Sequence, residues 1–371
     1  MPRRGGLGYL AVILFAFAML FANVLRHPVY TPDGIVYARY AARDAGAGDR
    51  DATLQARAYY EQSPLAASPR YRPLIELDPS VAFARSQIFV NRVLYPRIVA
   101  LLLPATGFRA LFIVSAAAYV LFGIALFWLL DAFRSFWTAL GITIVALALP
   151  ITRDLAASDL TDMLAALFWT LALGALLRSL ALERSALLTT VLAAASVLLV
   201  LTRPTPYLIV LPALAAGITR GLWVEFGAAC TSIVAFALDA VTTHAFGFMQ
   251  QLQWIYDRVP GTNKPPLGVW YRGALLQTDR AAAASGVKTV IPPVALLCAI
   301  YAARGRFGAE AWVLAAAFVA CLLSLIVNPV PDQIARVVGF PLIPVFTAMI
   351  QAAAAQFAAD RRSSLRGVPV R

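Results

Sequence analysis

Residues 8–25, GYLAVILFAFAMLFANVL, form the first long apolar stretch of the chain, and the sequence Thr31-Pro32-Asp33-Gly34 follows closely. About 20 apolar residues are enough to cross the hydrocarbon core of a bilayer, so this stretch predicts a transmembrane helix. Asp33 is then expected just outside the membrane, where a carboxylate can serve as a general base or a metal ligand. The alternative interpretation is that Pro-Asp-Gly forms a turn and that Asp33 caps a helix beginning at Ile35.

The composition indicates an integral membrane protein. Of the 371 residues, 61% are hydrophobic and only 13% are charged, and the mean hydropathy is +0.75. Only residues 26–92 are polar enough to resemble a soluble segment. We therefore predict an all-α protein with a single membrane domain, 1–371, and about ten transmembrane helices at 8–25, 110–130, 136–150, 160–178, 186–201, 206–219, 223–243, 288–303, 308–327 and 341–357.

Charge is unevenly distributed between the two sides of these predicted helices. The net charge is +12, and the short connections on the side of the N-terminus carry most of the arginines that flank the helices. The positive-inside rule then places both termini in the cytoplasm and Asp33 outside. Because membrane topology accounts for the positive net charge, membrane lipids are expected as partners and nucleic acid is not. The expected location is the cytoplasmic (inner) membrane, multi-pass, with the site facing the periplasm.

The first outer loop, 26–109, is expected to be structured. Apolar residues recur at helical spacing in 35–45 and 52–61, which predicts amphipathic helices lying on the membrane surface. Asp78-Pro79 predicts the start of a further helix. The apolar run 98–103 is too short to span the membrane, so it is expected to form an interfacial or re-entrant helix.

The second large outer loop, 244–287, is rich in aromatic residues. Trp254 and Trp270 lie among glutamine and acidic side chains in this loop. Such a mixture suits a carbohydrate-binding platform, but the aromatic belt of a membrane interface has the same composition. Both interpretations of the two tryptophans stay open.

A short acidic connection, Thr152–Asp162, should face the same side as Asp33. It contains Arg153, Asp154 and Asp159, and it ends at Asp162. Asp159 and Asp162 are three residues apart, which would place both carboxylates on one face of a helix. Acidic residues gain about 0.3–1 kcal/mol at a helix N-terminus, but carboxylates crowded at membrane depth are commonly functional. We therefore predict a site role for at least one of them.

Two arginines are expected at the same outer boundary. Arg203 follows the fifth predicted helix, and Arg336 precedes the tenth. Arginines at a membrane boundary are usually surface residues whose charged ends reach water. A guanidinium in this position is also suited to gripping a phosphate or diphosphate through two parallel hydrogen bonds.

The order of these motifs along the chain and the side of the membrane on which they are expected resemble those of the GT-C superfamily. Its members are membrane glycosyltransferases that use polyprenyl-phosphate-linked sugars. The resemblance covers nearly the whole chain. It is carried by Pro32-Asp33-Gly34 with Tyr37, the long outer loop that ends in Tyr95-Pro96, the acidic connection Arg153–Asp162, Thr202-Arg203-Pro204, and Arg336 before Phe340-Pro341-Leu342-Ile343-Pro344. A chain of this length would be a minimal member without a C-terminal soluble domain.

The resemblance implies an enzyme that transfers a sugar to the hydroxyl of a glycolipid, polysaccharide or protein acceptor. Asp33 would deprotonate this hydroxyl, or hold it through a divalent cation such as Mg or Mn. Gly34 stands where many members have a second acid, which leaves metal dependence open. Asp159 or Asp162 would be the second carboxylate, and Arg336 would bind the donor phosphate. Further substrate contacts would come from Arg203, Arg153, Asp154, Tyr37, Tyr95, Trp254 and Trp270.

The expected chemistry agrees with an outer location. No nucleotide sugar is available there, so a lipid-carried donor is required, and a single base implies inversion at the anomeric carbon. One alternative is an O-antigen polymerase or ligase, in which the main loop would be expected late in the chain. The other is a polytopic transporter or lipid flippase, which should show repeated halves. Residues 1–180 and 190–371 do not align in loop length or charge.

Overall fold

The computed structural model of the chain describes residues 2–24, 26–83, 89–133, 135–181, 185–243, 250, 253, 256–257, 265–284, 308–327 and 334–365. Within these ranges the regular structure is helical, apart from one isolated β-bridge. The helices are α1 (Pro2–Met19), α2 (Pro32–Asp44), α3 (Asp49–Tyr60), α4 (Arg72–Ile75), α5 (Pro79–Ala82), α6 (Leu94–Thr106), α7 (Ala110–Asp131), α8 (Phe136–Ala148), α9 (Pro150–Ala157), α10 (Asp162–Ala181), α11 (Ala186–Thr202), α12 (Tyr207–Arg220), α13 (Trp223–Thr243), α14 (Leu267–Ala284), α15 (Ala309–Val327) and α16 (Ile334–Leu365).

Among the described residues, three helical stretches are long and apolar enough to cross a membrane: Leu94–Asp131, Asp162–Ala181 and Trp223–Thr243. Shorter apolar helices occur at Gly6–Ala22, Ala186–Thr202, Tyr207–Arg220, Ala309–Ser324 and Phe340–Gln356. These helices agree with the predicted all-α membrane class, but they do not establish ten spans. The predicted span 288–303 lies outside the described residues.

The third predicted span, 136–150, is not a single straight helix. It divides into α8 and α9, which are bent by 59° relative to each other. The cause is Pro150, because a proline disfavours helical backbone at the residue before it. Leu149 accordingly has ψ 136°, outside the helical range, and Pro150 starts α9. Part of the predicted acidic connection is therefore helical.

The chain reverses direction between α6 and α7. The hydroxyl of Tyr95 donates a hydrogen bond of 2.8 Å to the carbonyl oxygen of Leu111, 16 residues later. In a straight helix these residues would be about 24 Å apart along the axis. Gly107 allows the reversal because it adopts φ +58°, which other residues rarely do. The run 98–103 therefore belongs to a helix that folds back along α7, and α7 alone can span the bilayer within this stretch.

Helices α2 and α3 form where the sequence predicts them, and they pack into a structured first loop. Asp78 also caps α5 as predicted, accepting a 2.8 Å hydrogen bond from the Ser80 amide. The arginines do not all point outward: Arg39 is buried and donates to the carbonyl oxygen of Leu74. Arg57 donates to the carbonyl oxygen of Leu77 at 2.9 Å. These bonds attach α4 and the residues directly after it to α2 and α3.

One short pairing brings the first loop against the start of α10. Val29 and Ser158 form a parallel β-bridge, and the Val29 amide donates to the Ala157 carbonyl oxygen at 2.9 Å. At the opposite end of α10, Arg178 donates to the Trp128 carbonyl oxygen at the end of α7. The bridge thus fixes the segment before α2 beside residues 158–161.

Candidate functional site

The centre of the candidate site is the carboxylate of Asp159, which is completely buried. One of its oxygens accepts hydrogen bonds from the Thr31 amide at 2.9 Å and from the Thr31 hydroxyl at 2.7 Å. The other accepts from the Tyr60 hydroxyl at 2.6 Å. Neither Thr31 nor Tyr60 was identified from the sequence. A threonine before Pro32 is an N-cap signal that could have indicated Thr31.

Thr31 also determines where α2 begins. Its hydroxyl oxygen accepts a 3.1 Å hydrogen bond from the Gly34 amide, which makes Thr31 the N-cap of the helix. The interpretation of Asp33 as the cap of a helix beginning at Ile35 is therefore wrong. Asp33 lies inside the first turn of α2 and is partly exposed. The same threonine thus holds the start of the Asp33 helix and the buried carboxylate of Asp159.

Gly34 is required by a close approach. A Cβ atom at this position would lie 2.0 Å from Oδ2 of Asp159 and 2.5 Å from the Tyr60 hydroxyl. The packing therefore excludes a second acid directly after Asp33. Within the described ranges, no group of three histidine, cysteine, aspartate or glutamate side chains is placed to hold a metal ion.

Burial raises the pKa of Asp159 to about 7, although the hydrogen bonds from Tyr60 and Thr31 oppose this shift. Burial and the neighbouring Asp159 carboxylate also raise the pKa of Tyr60 well above its usual value. Asp159 can therefore exchange a proton near neutral pH while Tyr60 stays protonated and continues to donate. A carboxyl group that titrates near pH 7 is suited to acid–base chemistry or to a pH-dependent contact.

The raised pKa predicts that Asp159 makes the folded protein less stable as the pH rises. Between about pH 4 and pH 7, the unfolded chain ionises this carboxyl while the folded chain keeps it protonated. The free energy of unfolding should therefore fall by up to about 1.4 kcal/mol per pH unit in this window and level off above it. Thermal unfolding of the detergent-solubilised protein between pH 4 and pH 8 measures this slope.

The contribution of Asp159 is isolated by comparing wild type with Asp159→Asn, which cannot ionise. The difference in unfolding midpoint between the two proteins should change with pH inside the window. Asp154→Asn, at an exposed residue of α9, is the matched control and should keep the wild-type slope. Identical slopes in wild type and Asp159→Asn would show that the carboxyl has an ordinary pKa.

Asp162 and Arg203 form a buried ion pair next to this centre. Arg203 is only 6% exposed, and its guanidinium carbon lies 4.8 Å from the ring centroid of Phe340 in α16. Arg203 is therefore a buried, paired residue and not a surface arginine whose charged end reaches water. The expectation that Asp159 and Asp162 share one helix face is also wrong, because α10 begins only at Asp162. The two carboxylates have different partners.

Tyr37 and Tyr95 lie inside the loop structure. The Tyr37 hydroxyl accepts a 2.6 Å hydrogen bond from Nη1 of Arg92 and lies 3.4 Å from the hydroxyl of Thr161. The rings of Tyr37 and Tyr95 meet edge to face, 5.3 Å apart. Both tyrosines are fully buried. The sequence did not identify Arg92, because its proximity to Tyr37 depends on the folding of the loop.

The remaining predicted residues are spread over other elements. In α9, Arg153 is partly buried and Asp154 is exposed. Trp270 lies in α14, where its ring contacts that of Tyr256 with the centroids 5.6 Å apart. Arg336 lies in α16, four residues before Phe340, and its side chain is outside the described part of the structure. Trp254 is outside it altogether.

The site therefore joins the segment before α2, the end of α3 and the residues before α10, with Arg203 and Phe340 beside them. Comparisons with protein-family models, with characterised proteins and with solved structures give no match to this chain.

Proposed function

We propose that the chain is a membrane glycosyltransferase. It transfers a sugar from a polyprenyl-phosphate-linked donor to an acceptor hydroxyl at the outer face of the cytoplasmic membrane. The observation that carries the proposal is the hydrogen-bonded connection from Asp159 through Thr31 to the first turn of α2, which contains Asp33. Two acidic residues from distant parts of the sequence are thereby connected, and Arg203 lies nearby, paired with Asp162.

In the proposed reaction, Asp33 accepts the proton of the acceptor hydroxyl. The hydroxyl oxygen then forms a bond to the anomeric carbon of the sugar, and the bond from that carbon to the phosphate oxygen breaks. The electron pair of the broken bond stays on the lipid phosphate, which leaves as an anion. A single displacement inverts the anomeric carbon. The partial exposure of Asp33 supports its role, because an acceptor can reach it.

Asp159 is proposed to hold the base in position. Its buried carboxylate is anchored by Tyr60, is bonded to Thr31, the N-cap of α2, and closely approaches Gly34. Buried hydrogen-bonded groups of this kind fix neighbouring residues within the small tolerances that catalysis requires. A role in positioning, rather than direct contact with the acceptor, agrees with the complete burial of Asp159.

The phosphate of the donor requires positive charge nearby, and α16 is proposed to contribute to it. Arg336 lies one helical turn before Phe340, whose ring contacts Arg203. Pro341 and Pro344 interrupt the hydrogen bonding of α16 directly after this turn. Arg203 is paired with Asp162, so it is proposed to hold α16 in place, whereas Arg336 contacts the donor.

The acceptor is proposed to approach over tyrosine rings. Tyr30 contacts Tyr60 and Phe112 with centroid distances of 6.0 and 5.1 Å, and Tyr59 lies 5.3 Å from Phe108. Tyr30 and Tyr59 are partly exposed. Aromatic surfaces with hydroxyl groups pack against apolar faces and bind polar groups at the same time. Glycolipids, polysaccharides and glycoproteins all offer such faces.

The direct test is sugar transfer by the purified protein in nanodiscs. A panel of polyprenyl phosphates, each carrying one labelled hexose or pentose, is incubated with a glycolipid acceptor extract. We expect release of polyprenyl phosphate from at least one donor and a labelled product with the inverted anomeric configuration. Failure of every donor to react with the folded protein would contradict the proposal. Movement of a labelled lipid across proteoliposomes without chemical change would favour a transporter.

A further inference from the structure

We propose that Arg92 binds the phosphate group of the donor and that Tyr37 and Phe89 hold its guanidinium in place. This inference rests on the proposed function and adds a residue to its site. Nη1 of Arg92 donates to the Tyr37 hydroxyl at 2.6 Å, and the guanidinium carbon lies 4.8 Å from the ring centroid of Phe89. An aromatic ring and a hydroxyl together fix the plane of a guanidinium, which orients it for bidentate hydrogen bonding to phosphate.

The position of Arg92 follows from the periodicity of α2. Asp33 and Tyr37 are four residues apart, so they lie one above the other on the same face of the helix. Arg92 contacts the Tyr37 hydroxyl, so it lies against the residue one turn after Asp33 in α2. The chain of contacts continues to Thr161, whose hydroxyl is 3.4 Å from that of Tyr37. Arg92 thus belongs to the same site as Asp33.

The charge of Arg92 remains available for an anion. Within the described ranges, no carboxylate lies at ion-pair distance from Arg92, whereas Arg203 is paired with Asp162. The Nε atom of Arg92 is buried and has no hydrogen-bond partner there. A guanidinium carries five N–H groups, of which the Tyr37 hydroxyl accepts only one. A phosphate oxygen would satisfy the buried Nε group and balance the charge.

The separation of one turn suits inversion. A base lies about 3 Å from the acceptor oxygen, and that oxygen lies about 3 Å from the anomeric carbon before attack. The leaving oxygen is on the opposite side of that carbon, so the base and the phosphate must be separated by roughly 7 Å. One helical turn rises 5.4 Å, and Arg92 lies beyond the end of the Tyr37 side chain, which adds to its separation from Asp33. Arg92 can therefore bind the leaving phosphate while Asp33 faces the acceptor.

The test measures binding to the full chain in phosphatidylcholine nanodiscs, with polyprenyl phosphate and the neutral polyprenol as probes. We expect Arg92→Ala to weaken polyprenyl phosphate binding about 10- to 100-fold and to leave polyprenol binding unchanged. Arg92→Lys should lose part of this affinity, because a point charge cannot form the planar fork. Tyr37→Phe should lose less affinity, since it removes only the hydrogen bond that orients the guanidinium of Arg92.

Arg43→Ala is the matched control. Its guanidinium also lies over two aromatic rings of the first loop, those of Tyr40 and Phe83, at 4.7 and 4.9 Å. We expect this variant to bind polyprenyl phosphate within twofold of wild type. Thermal unfolding midpoints check that the variants are folded. If Arg92→Ala does not fold, the binding comparison is made with Arg92→Lys instead. Wild-type affinity in the folded Arg92 variant would overturn the assignment.

Inorganic phosphate as a competitor separates two sources of the anion. If it bound as tightly as polyprenyl phosphate, the assignment to a lipid-linked donor would be overturned. Failure of the proposed function has a different signature. If the wild type transferred no sugar but Arg92→Ala still lost binding of polyprenyl phosphate, the glycosyltransferase proposal would be contradicted and the anion site would stand. Unchanged binding in Arg92→Ala, with sugar transfer by wild type, would contradict the anion site alone.

Discussion

Asp33→Asn is expected to lower the rate of sugar transfer by about 100- to 10,000-fold, the usual effect of losing a general base. Asparagine keeps the size of aspartate but cannot accept the acceptor proton. The start of α2 should be unaffected, because Thr31 and not Asp33 caps the helix. Affinity for polyprenyl phosphate should also stay within about twofold of wild type, because the proposed phosphate ligands are arginines. Initial rates of polyprenyl phosphate release measure the effect.

The matched control for this variant is Asp51→Asn. Asp51 lies in the first turn of α3, as Asp33 lies in the first turn of α2, and it is exposed. Both substitutions remove one negative charge from a helix N-terminus, which costs about 0.3–1 kcal/mol of stability. Only Asp33→Asn should lose activity. Wild-type turnover in a correctly inserted Asp33→Asn protein would leave Asp33 as a helix residue without a chemical role.

Gly34→Ala is expected to destabilise the protein by roughly 2–4 kcal/mol and to abolish transfer. On helix propensity alone, alanine in place of glycine would stabilise α2 by about 1 kcal/mol. The new methyl group, however, would lie within 2.5 Å of both the Asp159 carboxylate and the Tyr60 hydroxyl. Both side chains are completely buried, so overpacking costs about 1–3 kcal/mol, and loss of the Tyr60–Asp159 bond adds to it. The clash therefore outweighs the gain in propensity.

Thermal unfolding and transfer rates of Gly34→Ala should be compared with those of Gly141→Ala. Gly141 lies within α8 and has open space around the position of its missing Cβ atom. Its replacement should therefore be neutral or slightly stabilising. If Gly34→Ala unfolded at the wild-type temperature and transferred sugar normally, the close approach of α2 to Asp159 would not exist in the protein.

The sequence predicted those parts of the fold that depend on local patterns. Helical spacing predicted α2 and α3, and the pair Asp78-Pro79 predicted α5, because capping and periodicity involve neighbouring residues. The division of the third span at Pro150 was missed, although proline supplies a local reason for it. A hydropathy profile averages over a window of residues. It therefore detects that α8 and α9 are apolar but not that the chain bends between them.

The candidate site was predictable only in part. Asp33 and Asp159 stood out because carboxylates are rare in an apolar chain, and the structure brings their segments together. Thr31, Tyr60 and Arg92 were missed, since common residues acquire a role only through tertiary contacts. Arg203 was expected to face outward, because sequence shows no sign of a partner at Asp162. Local patterns thus find the unusual residues, and packing decides which neighbours they have.

The contact between Thr31 and Asp159 also has a consequence for biosynthesis. The two residues are 128 positions apart in the sequence. A ribosome that adds about 5–20 residues per second needs on the order of ten seconds to make the intervening chain. During that interval α2 can form, but its N-cap lacks the buried carboxylate that later fixes it. The nascent protein therefore carries Asp33 on an unanchored helix, and the site is completed only when the segment before α10 has been translated and docked.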